Sequence, residues 1–214
     1  MDYFNLPSNT VVQRVVPKNS FDSFTNSKQK EMFTKDIAKI VWSNSLSAGT
    51  INLQGKEIQE IQIFTIELKE QKEIKVVLDI IDKAIPYHII FVVEFKDWIY
   101  FSTSSKHPSP LNDAKSVIDW TYTTPWFKKT DNKYVISLKK SIDNVFYEFC
   151  QQLSLRKNKS VKNIADLSAY NSKLYTLTKE IERLKKSIAS CQQFNKKVEM
   201  NLLLKELENE LNSL

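Results

Sequence analysis

The stretch His88-Ile-Ile-Phe-Val-Val-Glu-Phe-Lys-Asp-Trp-Ile-Tyr-Phe-Ser102 contains the most apolar run of the chain, residues 89–93. A short run of β-branched and aromatic residues that is apolar throughout is typical of a strand buried on both faces of a sheet. Lys96 and Asp97 interrupt the run and predict a tight turn. The stretch therefore predicts a β-hairpin, with strands over residues 88–95 and 98–102, whose first strand runs through the middle of a sheet.

The segments on either side of this hairpin alternate between helical and β spacing. Apolar residues at intervals of three and four predict helices over residues 28–43, 72–84 and 141–153. Alternating β-branched residues predict strands in the arm before Ser27, over residues 50–53 and 57–69 around the turn Gln54-Gly55, and over residues 120–126 and 133–138. Residues 108–110 are expected to form a loop. This order predicts an α+β domain, a mixed sheet of about four to six strands with flanking helices.

From Asn163 onward the apolar residues fall at alternating intervals of three and four. This heptad spacing, sustained from Leu167 to Cys191, is typical of a left-handed coiled coil. It breaks at Asn195 and resumes in another phase, which predicts either a helical hairpin or a coil with a local change of supercoil; packing of the tail on its own globular domain is a third interpretation. The candidate self-association residues are Leu167, Leu174, Leu177, Ile181, Leu184 and Ile188.

The predicted organisation is therefore a globular domain over residues 1–155, a basic linker over 156–162 and a coiled coil or helical hairpin over 163–214. Two glycines are too few for the phosphate-cradling loops of P-loop ATPases and Rossmann dehydrogenases. Two cysteines and two histidines, all widely separated, predict neither a disulfide framework nor a zinc site. No apolar run approaches the roughly 20 residues of a membrane span. We expect a cytoplasmic protein with no cofactor, no bound metal and no membrane contact.

Basic residues are concentrated between Lys128 and Lys162, where nine Lys and Arg residues face three Asp and Glu residues. Such a segment can contact phosphates in a sequence-independent way. A solvated surface with a lysine-rich linker is the simpler interpretation of the same pattern. The candidate nucleic-acid-binding residues are Lys128, Lys129, Lys139, Lys140, Arg156 and Lys157.

One constellation resembles a catalytic site. Glu67 and Lys69, two residues apart on a predicted strand, lie on one sheet face, as in the metal-dependent PD-(D/E)xK nucleases. Those enzymes need further acids, and the candidates are Glu60, Asp36 and Glu31. Glu60 lies seven residues before Glu67 and should point to the opposite face of a regular strand, so the pair also fits the solvent-facing end of an edge strand.

The stretch Ile81-Asp-Lys-Ala-Ile-Pro-Tyr-His-Ile-Ile-Phe91 resembles a bacterial family that carries the domain of unknown function DUF4391. The other matching pieces are Trp42, residues 50–53, residues 60–64 with Leu68 and Lys69, and residues 193–201. The resemblance spans nearly the whole chain and brings no assigned catalytic residue.

The resemblance implies an accessory gene placed beside helicases and DNA methyltransferases in restriction-like anti-phage loci. We therefore expect a non-enzymatic accessory or assembly subunit of such a system. Its helical tail would bind a second copy of the chain, a helicase or a methyltransferase, and its basic segment would bind nucleic acid weakly. The alternative, from another class, is a metal-dependent nuclease that uses Glu67 and Lys69.

Overall fold

The computed structural model describes residues 3–109, 112–158 and 160–214. The chain divides into two compact units, Met1–Ser154 and Leu155–Leu214. In the described part of the first unit, the strands are β1 (Val11–Val15), β2 (Ile37–Ser47), β3 (Glu60–Leu68), β4 (His88–Phe95), β5 (Trp98–Ser109), β6 (Asn112–Thr123) and β7 (Phe127–Lys128). Its α-helices are α1 (Ser27–Asp36), α2 (Ala48–Ile51), α3 (Lys75–Ala84) and α4 (Ile142–Leu153).

The strands form one mixed sheet in the order β1-β2-β3-β4-β5-β6, with β7 paired to β5. Only β3 and β4 run parallel among these pairs, and α3 makes the crossover that a parallel pair requires. The fold is α+β, as predicted, with seven strands rather than four to six. The predicted central strand and its hairpin are confirmed, because residues 89–93 of β4 are all at most 1% exposed.

The helix predicted over residues 28–43 is wrong beyond Asp36, where β2 begins. A β-bulge explains the error: Ile37 pairs with Leu68 and Lys39 with Glu67, so the strand carries one extra residue between them. Ile37 and Ile40 consequently share the buried face at an interval of three, and both are fully buried. That interval imitates the helical period in the sequence.

The hairpin predicted around Gln54-Gly55 is also wrong. The segment assigned to its first strand overlaps α2, and β3 pairs instead with β2, from Ser47 opposite Glu60 to Ile37 opposite Leu68. The loop before β3 is held by the Asp143 carboxylate, which accepts backbone N–H bonds of 2.7–2.9 Å from residues 56, 57 and 58.

Two predictions near the end of the first unit also need correction. Residues 133–138 form no strand, because the side-chain amide of Gln152 on α4 hydrogen-bonds both the N–H (3.1 Å) and the C=O (2.9 Å) of Val135. The loop predicted over residues 108–110 is wrong as far as Ser109, because β5 extends to that residue. Pro108 lies next to a bulge in β5, a position that tolerates proline. Pro110 lies outside the described residues.

The second unit contains α5 (Ile164–Ser190) and α6 (Phe194–Ser213), joined by residues 191–193. Ion pairs of 2.7 Å join Lys173 to Glu210 and Lys185 to Glu208. Arg156, which precedes α5, donates to the carbonyl of Leu211 near the end of α6 (3.2 Å). The two helices therefore fold back on each other, and supercoiling stays a prediction.

The predicted seam of α5 is largely covered within the chain. Leu167, Leu174, Leu177 and Ile181 are at most 7% exposed, whereas Leu184 and Ile188 are partly exposed. No helix within the described residues is both long and apolar enough to cross a membrane.

Candidate functional site

A cavity of about 470 Å³ opens on one face of the sheet in the first unit. Its floor is a row of side chains across three strands: Arg14 of β1 pairs with Trp42 of β2, and Trp42 pairs with Phe64 of β3. Paired residues on adjacent strands lie on the same face. The Trp42 and Phe64 rings are nearly parallel, with 8° between their planes and 6.5 Å between their centroids. The floor therefore consists of two parallel aromatic rings, with Arg14 in register with the first of them.

The walls of this aromatic cavity come from two segments. The 3₁₀ helix Lys18–Phe24 contributes Phe21, which is buried and stacked on Phe33 with a centroid distance of 5.7 Å, and Phe24, which is 39% exposed. The end of α3 and the residues after it contribute Ala84, Ile85 and Tyr87, and Tyr87 is 44% exposed. The buried rings shape the cavity, and the exposed rings form its rim.

A chain of hydrogen bonds fixes the polar groups of the cavity. The indole N–H of Trp42 donates to Oε1 of Gln62 (2.7 Å), and Nε2 of Gln62 donates to Oε2 of Glu60 (2.8 Å). Because an indole nitrogen can only donate, the Gln62 amide has one permitted orientation. Gln62 is only 3% exposed. The Glu60 carboxylate is thus held in place beside the aromatic floor.

The stretch that carries the family resemblance builds one wall of the cavity. Asp82 and Lys106 form an ion pair of 2.8 Å, and both side chains are 1% exposed. Lys106 also donates to the carbonyls of Asp82 (2.6 Å) and Ile85 (2.7 Å). These bonds fasten the end of α3 to β5 and so position Ile85 and Tyr87 at the cavity.

Burial has the largest influence on the protonation of this buried cluster. It raises the pKa of Asp82 and lowers the pKa of Lys106, and the attraction between the two charges opposes both shifts. Burial also lowers the pKa of His88 to about 4, and the positive charge of Lys106 acts in the same direction. His88 packs edge-on against Phe146 of α4, with a centroid distance of 4.6 Å. It is therefore a neutral structural residue near pH 7.

A second, polar cavity of about 150 Å³ lies on the other face of the sheet and contains Glu67. Glu67 is in register with Glu94 on the parallel strand β4 and opposite Lys39 on β2. Oε2 of Glu94 accepts a 2.5 Å hydrogen bond from the Tyr3 hydroxyl and lies 3.0 Å from the Lys129 ammonium. Burial and this carboxylate both raise the pKa of Tyr3. The Glu94 charge is therefore already compensated.

The structure does not bring the predicted nuclease residues together. Lys69 follows the end of β3, and its ammonium donates to the carbonyl of Thr34 (2.8 Å). Glu60 lies at the opposite end of β3 and belongs to the aromatic cavity. Glu94 is absent from the sequence predictions, because its place beside Glu67 depends on the register of β4 on β3.

The surroundings of Glu67 and Glu94 bear on whether this pair of carboxylates could hold a metal ion. A divalent cation needs converging oxygen ligands, and Glu94 is engaged by Tyr3 and Lys129. Among the described side chains, no group of three or more His, Cys, Asp or Glu could hold a metal ion.

The six candidate nucleic-acid-binding residues are divided between the two units. Lys128, Lys129, Lys139 and Lys140 belong to the first unit, and Arg156 and Lys157 belong to the second. Lys129 is paired with Glu94. Lys159, in the same basic segment, lies outside the described residues. Binding of nucleic acid by this set stays a prediction.

Residues 4–211 match the family described as Domain of unknown function (DUF4391). The chain belongs to this family. No curated protein and no solved structure matches it. Half of the residues that line the aromatic cavity fall in the stretches by which the chain resembles DUF4391, namely Trp42, Glu60, Gln62, Phe64, Ala84, Ile85 and Tyr87. The aromatic cavity is therefore the best candidate functional site of this DUF4391 chain.

Proposed function

We propose that this DUF4391 chain is a non-enzymatic accessory or assembly subunit of a bacterial restriction-like anti-phage system. The first unit binds a ligand in the aromatic cavity, and the helical unit binds partner proteins. The observation that carries the ligand-binding part of the proposal is the preformed cavity, in which Trp42, Gln62 and Glu60 hold one another in a single arrangement. The restriction-like setting rests on the resemblance to DUF4391. Aromatic surfaces with a few fixed polar groups, in a volume of about 300–1,000 Å³, are typical of recognition sites for small ligands.

The partner surface of the helical unit is an apolar stripe on α6. Phe194, Val198 and Leu202 follow one another at intervals of four and therefore lie along one side of the helix. They are 78%, 43% and 61% exposed. Exposed apolar patches on a helix are typical of interaction sites, and most of the α5 seam is already buried. The occupant is a second copy of the chain or a helicase or methyltransferase subunit.

Co-purification tests the assembly role. The tagged full chain, expressed in its native cell, is expected to recover a helicase or methyltransferase subunit. A variant with Phe194→Ser and Leu202→Ser should lose that partner, because the stripe loses its apolar surface. Val135→Ser is the matched control, since Val135 is an apolar residue of the first unit that is 59% exposed. Recovery of neither such a subunit nor an untagged copy of the chain, or equal recovery by both variants, would contradict the assembly role.

The alternative function is a metal-dependent nuclease centred on Glu67 and Lys69. The register of Glu67 with Glu94 favours it, and the compensation of Glu94 by Tyr3 and Lys129 opposes it. We expect no cleavage of DNA in the presence of magnesium or manganese. Cleavage by the wild type that is lost in both Glu67→Gln and Lys69→Ala, with the fold intact, would establish the alternative.

A further inference from the structure

We infer that the aromatic cavity binds a guanine base whose phosphate is held by Arg14. This inference rests on the proposed recognition role of the cavity and names the chemical class of its ligand. The cavity offers three features that a nucleotide requires: an aromatic ring to stack on, a fixed hydrogen-bond acceptor and a cation among its lining residues.

The aromatic floor fits the face of a planar heterocycle. Trp42 is backed by the parallel ring of Phe64, which is only 4% exposed, and Tyr87, 44% exposed, also lines the cavity. Every base has a π face, so stacking on such rings favours bases over non-planar ligands but does not select among them. The volume of about 470 Å³ lies within the range of small-ligand sites. Selection among the bases must therefore come from hydrogen bonds to the edge of the base.

The Glu60 carboxylate supplies the hydrogen-bond acceptor for the edge of the base. Its Oε2 accepts from Gln62 (2.8 Å), and no described residue donates to its Oε1. An ionised carboxylate accepts hydrogen bonds and donates none. Guanine presents two adjacent donors, the ring N1–H and the exocyclic amino group, to such an acceptor. Adenine and cytosine each place a ring acceptor beside their amino group, and thymine and uracil place a carbonyl on each side of their ring N–H. The carboxylate repels these acceptors. Glu60 therefore selects guanine.

Arg14 supplies the phosphate contact. It is exposed, lines the cavity, and pairs across the strands with Trp42. The described part of the chain offers its guanidinium no ion-pair partner. A guanidinium matches the geometry of a phosphate by donating two parallel hydrogen bonds. Arg14 therefore lies where the phosphate of a base stacked on Trp42 can reach it.

Guanine with a phosphate occurs both as a free nucleotide and within a single strand of nucleic acid. Calorimetric titration of the full chain separates these sources, with guanosine monophosphate in one arm and a short guanine-containing oligodeoxynucleotide in the other. Adenosine monophosphate and an oligothymidylate of the same length are the references. We expect at least tenfold tighter binding of the guanine ligand in one arm, and the tighter arm identifies the source. Equal affinity for guanine and reference ligands in both arms would overturn the inference.

Two variants test the assigned contacts. Glu60→Gln should reduce the preference for guanine at least tenfold, because it replaces one acceptor oxygen by a donor, and the exposed Glu57→Gln is its control. Arg14→Ala should weaken the nucleotide at least fivefold more than it weakens the nucleoside guanosine, with the exposed Arg183→Ala as its control. Undiminished binding by either cavity variant would overturn the inference.

The two proposals fail separately. Co-purification reports on α6, and the titration reports on the cavity of the first unit. If a partner is recovered but guanine does not bind, only the inference about the ligand is overturned. If guanine binds but no partner is recovered, only the assembly role is overturned.

Discussion

Asp82 is the residue of the 81–91 stretch with the clearest physical role. It is buried, and its partner Lys106 lies 24 residues later on another strand. A buried ion pair is costly to break, because the remaining charge is left without compensation. The resemblance points to residue 82, but the sequence gives no sign of Lys106, since the pairing depends on how α3 packs against the sheet.

Lys106→Met should destabilise the first unit by about 3–5 kcal/mol, because it leaves the Asp82 carboxylate buried without its partner. The double variant Asp82→Leu with Lys106→Met should recover most of that loss, since it leaves no unpaired charge. Urea denaturation of the three proteins measures both effects. A single variant as stable as the wild type would show that the pair does not hold α3 to β5.

His88 gives the first unit a pH dependence whose sign follows from burial. Its pKa in the folded state is about 4, below the value of about 6.5 for an unfolded chain. The unfolded state therefore binds the proton first as the pH falls. The stability due to neutral His88 is complete above about pH 7 and declines through the window between these two values.

Between pH 7.5 and pH 5, this effect should remove about 2 kcal/mol of the unfolding free energy. The His88→Gln variant has no group at this position that titrates in this window. Its unfolding free energy should therefore fall by about 2 kcal/mol less than that of the wild type. Urea denaturation at several pH values measures the difference between the two proteins. Identical pH profiles for wild type and variant would mean that His88 is protonated in the folded state.

At the scale of elements, local patterns were predicted well and long-range ones were not. The hairpin of β4 and β5 was found because its apolar run and its turn are adjacent in sequence. Helix α4 was predicted because its apolar face is continuous, and the structure adds its cap, since Ser141 accepts a hydrogen bond from the N–H of Asn144 (3.1 Å). Strand β2 was missed because a bulge gave it a helical interval, and the sequence does not show where a bulge lies.

The candidate site also depends on long-range contacts that the sequence does not show. Glu60 was considered from the sequence as a nuclease acid, yet the aromatic cavity that contains it is assembled from β1, β2, β3, the 3₁₀ helix before α1 and the end of α3. The pairing of Arg14 with Trp42 follows only from the register of β1 on β2. A local motif could not have revealed a site built from five segments.

The turn before β3 depends on Gly55. A Cβ atom at this position would lie 1.8 Å from the carbonyl oxygen of Ile58, whereas one at Gly49 would meet nothing closer than 3.9 Å. Gly55→Ala should therefore destabilise the first unit by about 1–3 kcal/mol, as overpacking does. Gly49→Ala, inside α2, should be neutral or stabilising by up to about 1 kcal/mol. Thermal unfolding compares the two, and equal melting temperatures would contradict the close approach.

At the scale of the whole molecule, the two units differ in the surfaces they present. The first unit carries the cavity, and its core residues are buried within it. The second unit buries much of the α5 seam but leaves Phe194, Val198 and Leu202 of α6 exposed. Water around such a stripe is unfavourable at roughly 25 cal/mol per Å² of apolar surface. Association of the chain through α6 would remove this surface from water.

The full chain should therefore form dimers or larger assemblies at micromolar concentration, and the variant with Phe194→Ser and Leu202→Ser should be a monomer. Ser at these positions removes the apolar surface that association would bury, while Lys173–Glu210 and Lys185–Glu208 keep α5 and α6 together. Light scattering coupled to size-exclusion chromatography measures the mass of each protein, and circular dichroism checks that the variant keeps its helices. Val135→Ser, which changes an exposed side chain of the first unit, should leave the mass of the assembly unchanged. A monomeric wild type would exclude self-association and leave the α6 stripe to a partner protein. A double variant that still assembles would show that the contact lies elsewhere. The partly exposed Leu184 and Ile188 of α5 would then be the next residues to substitute.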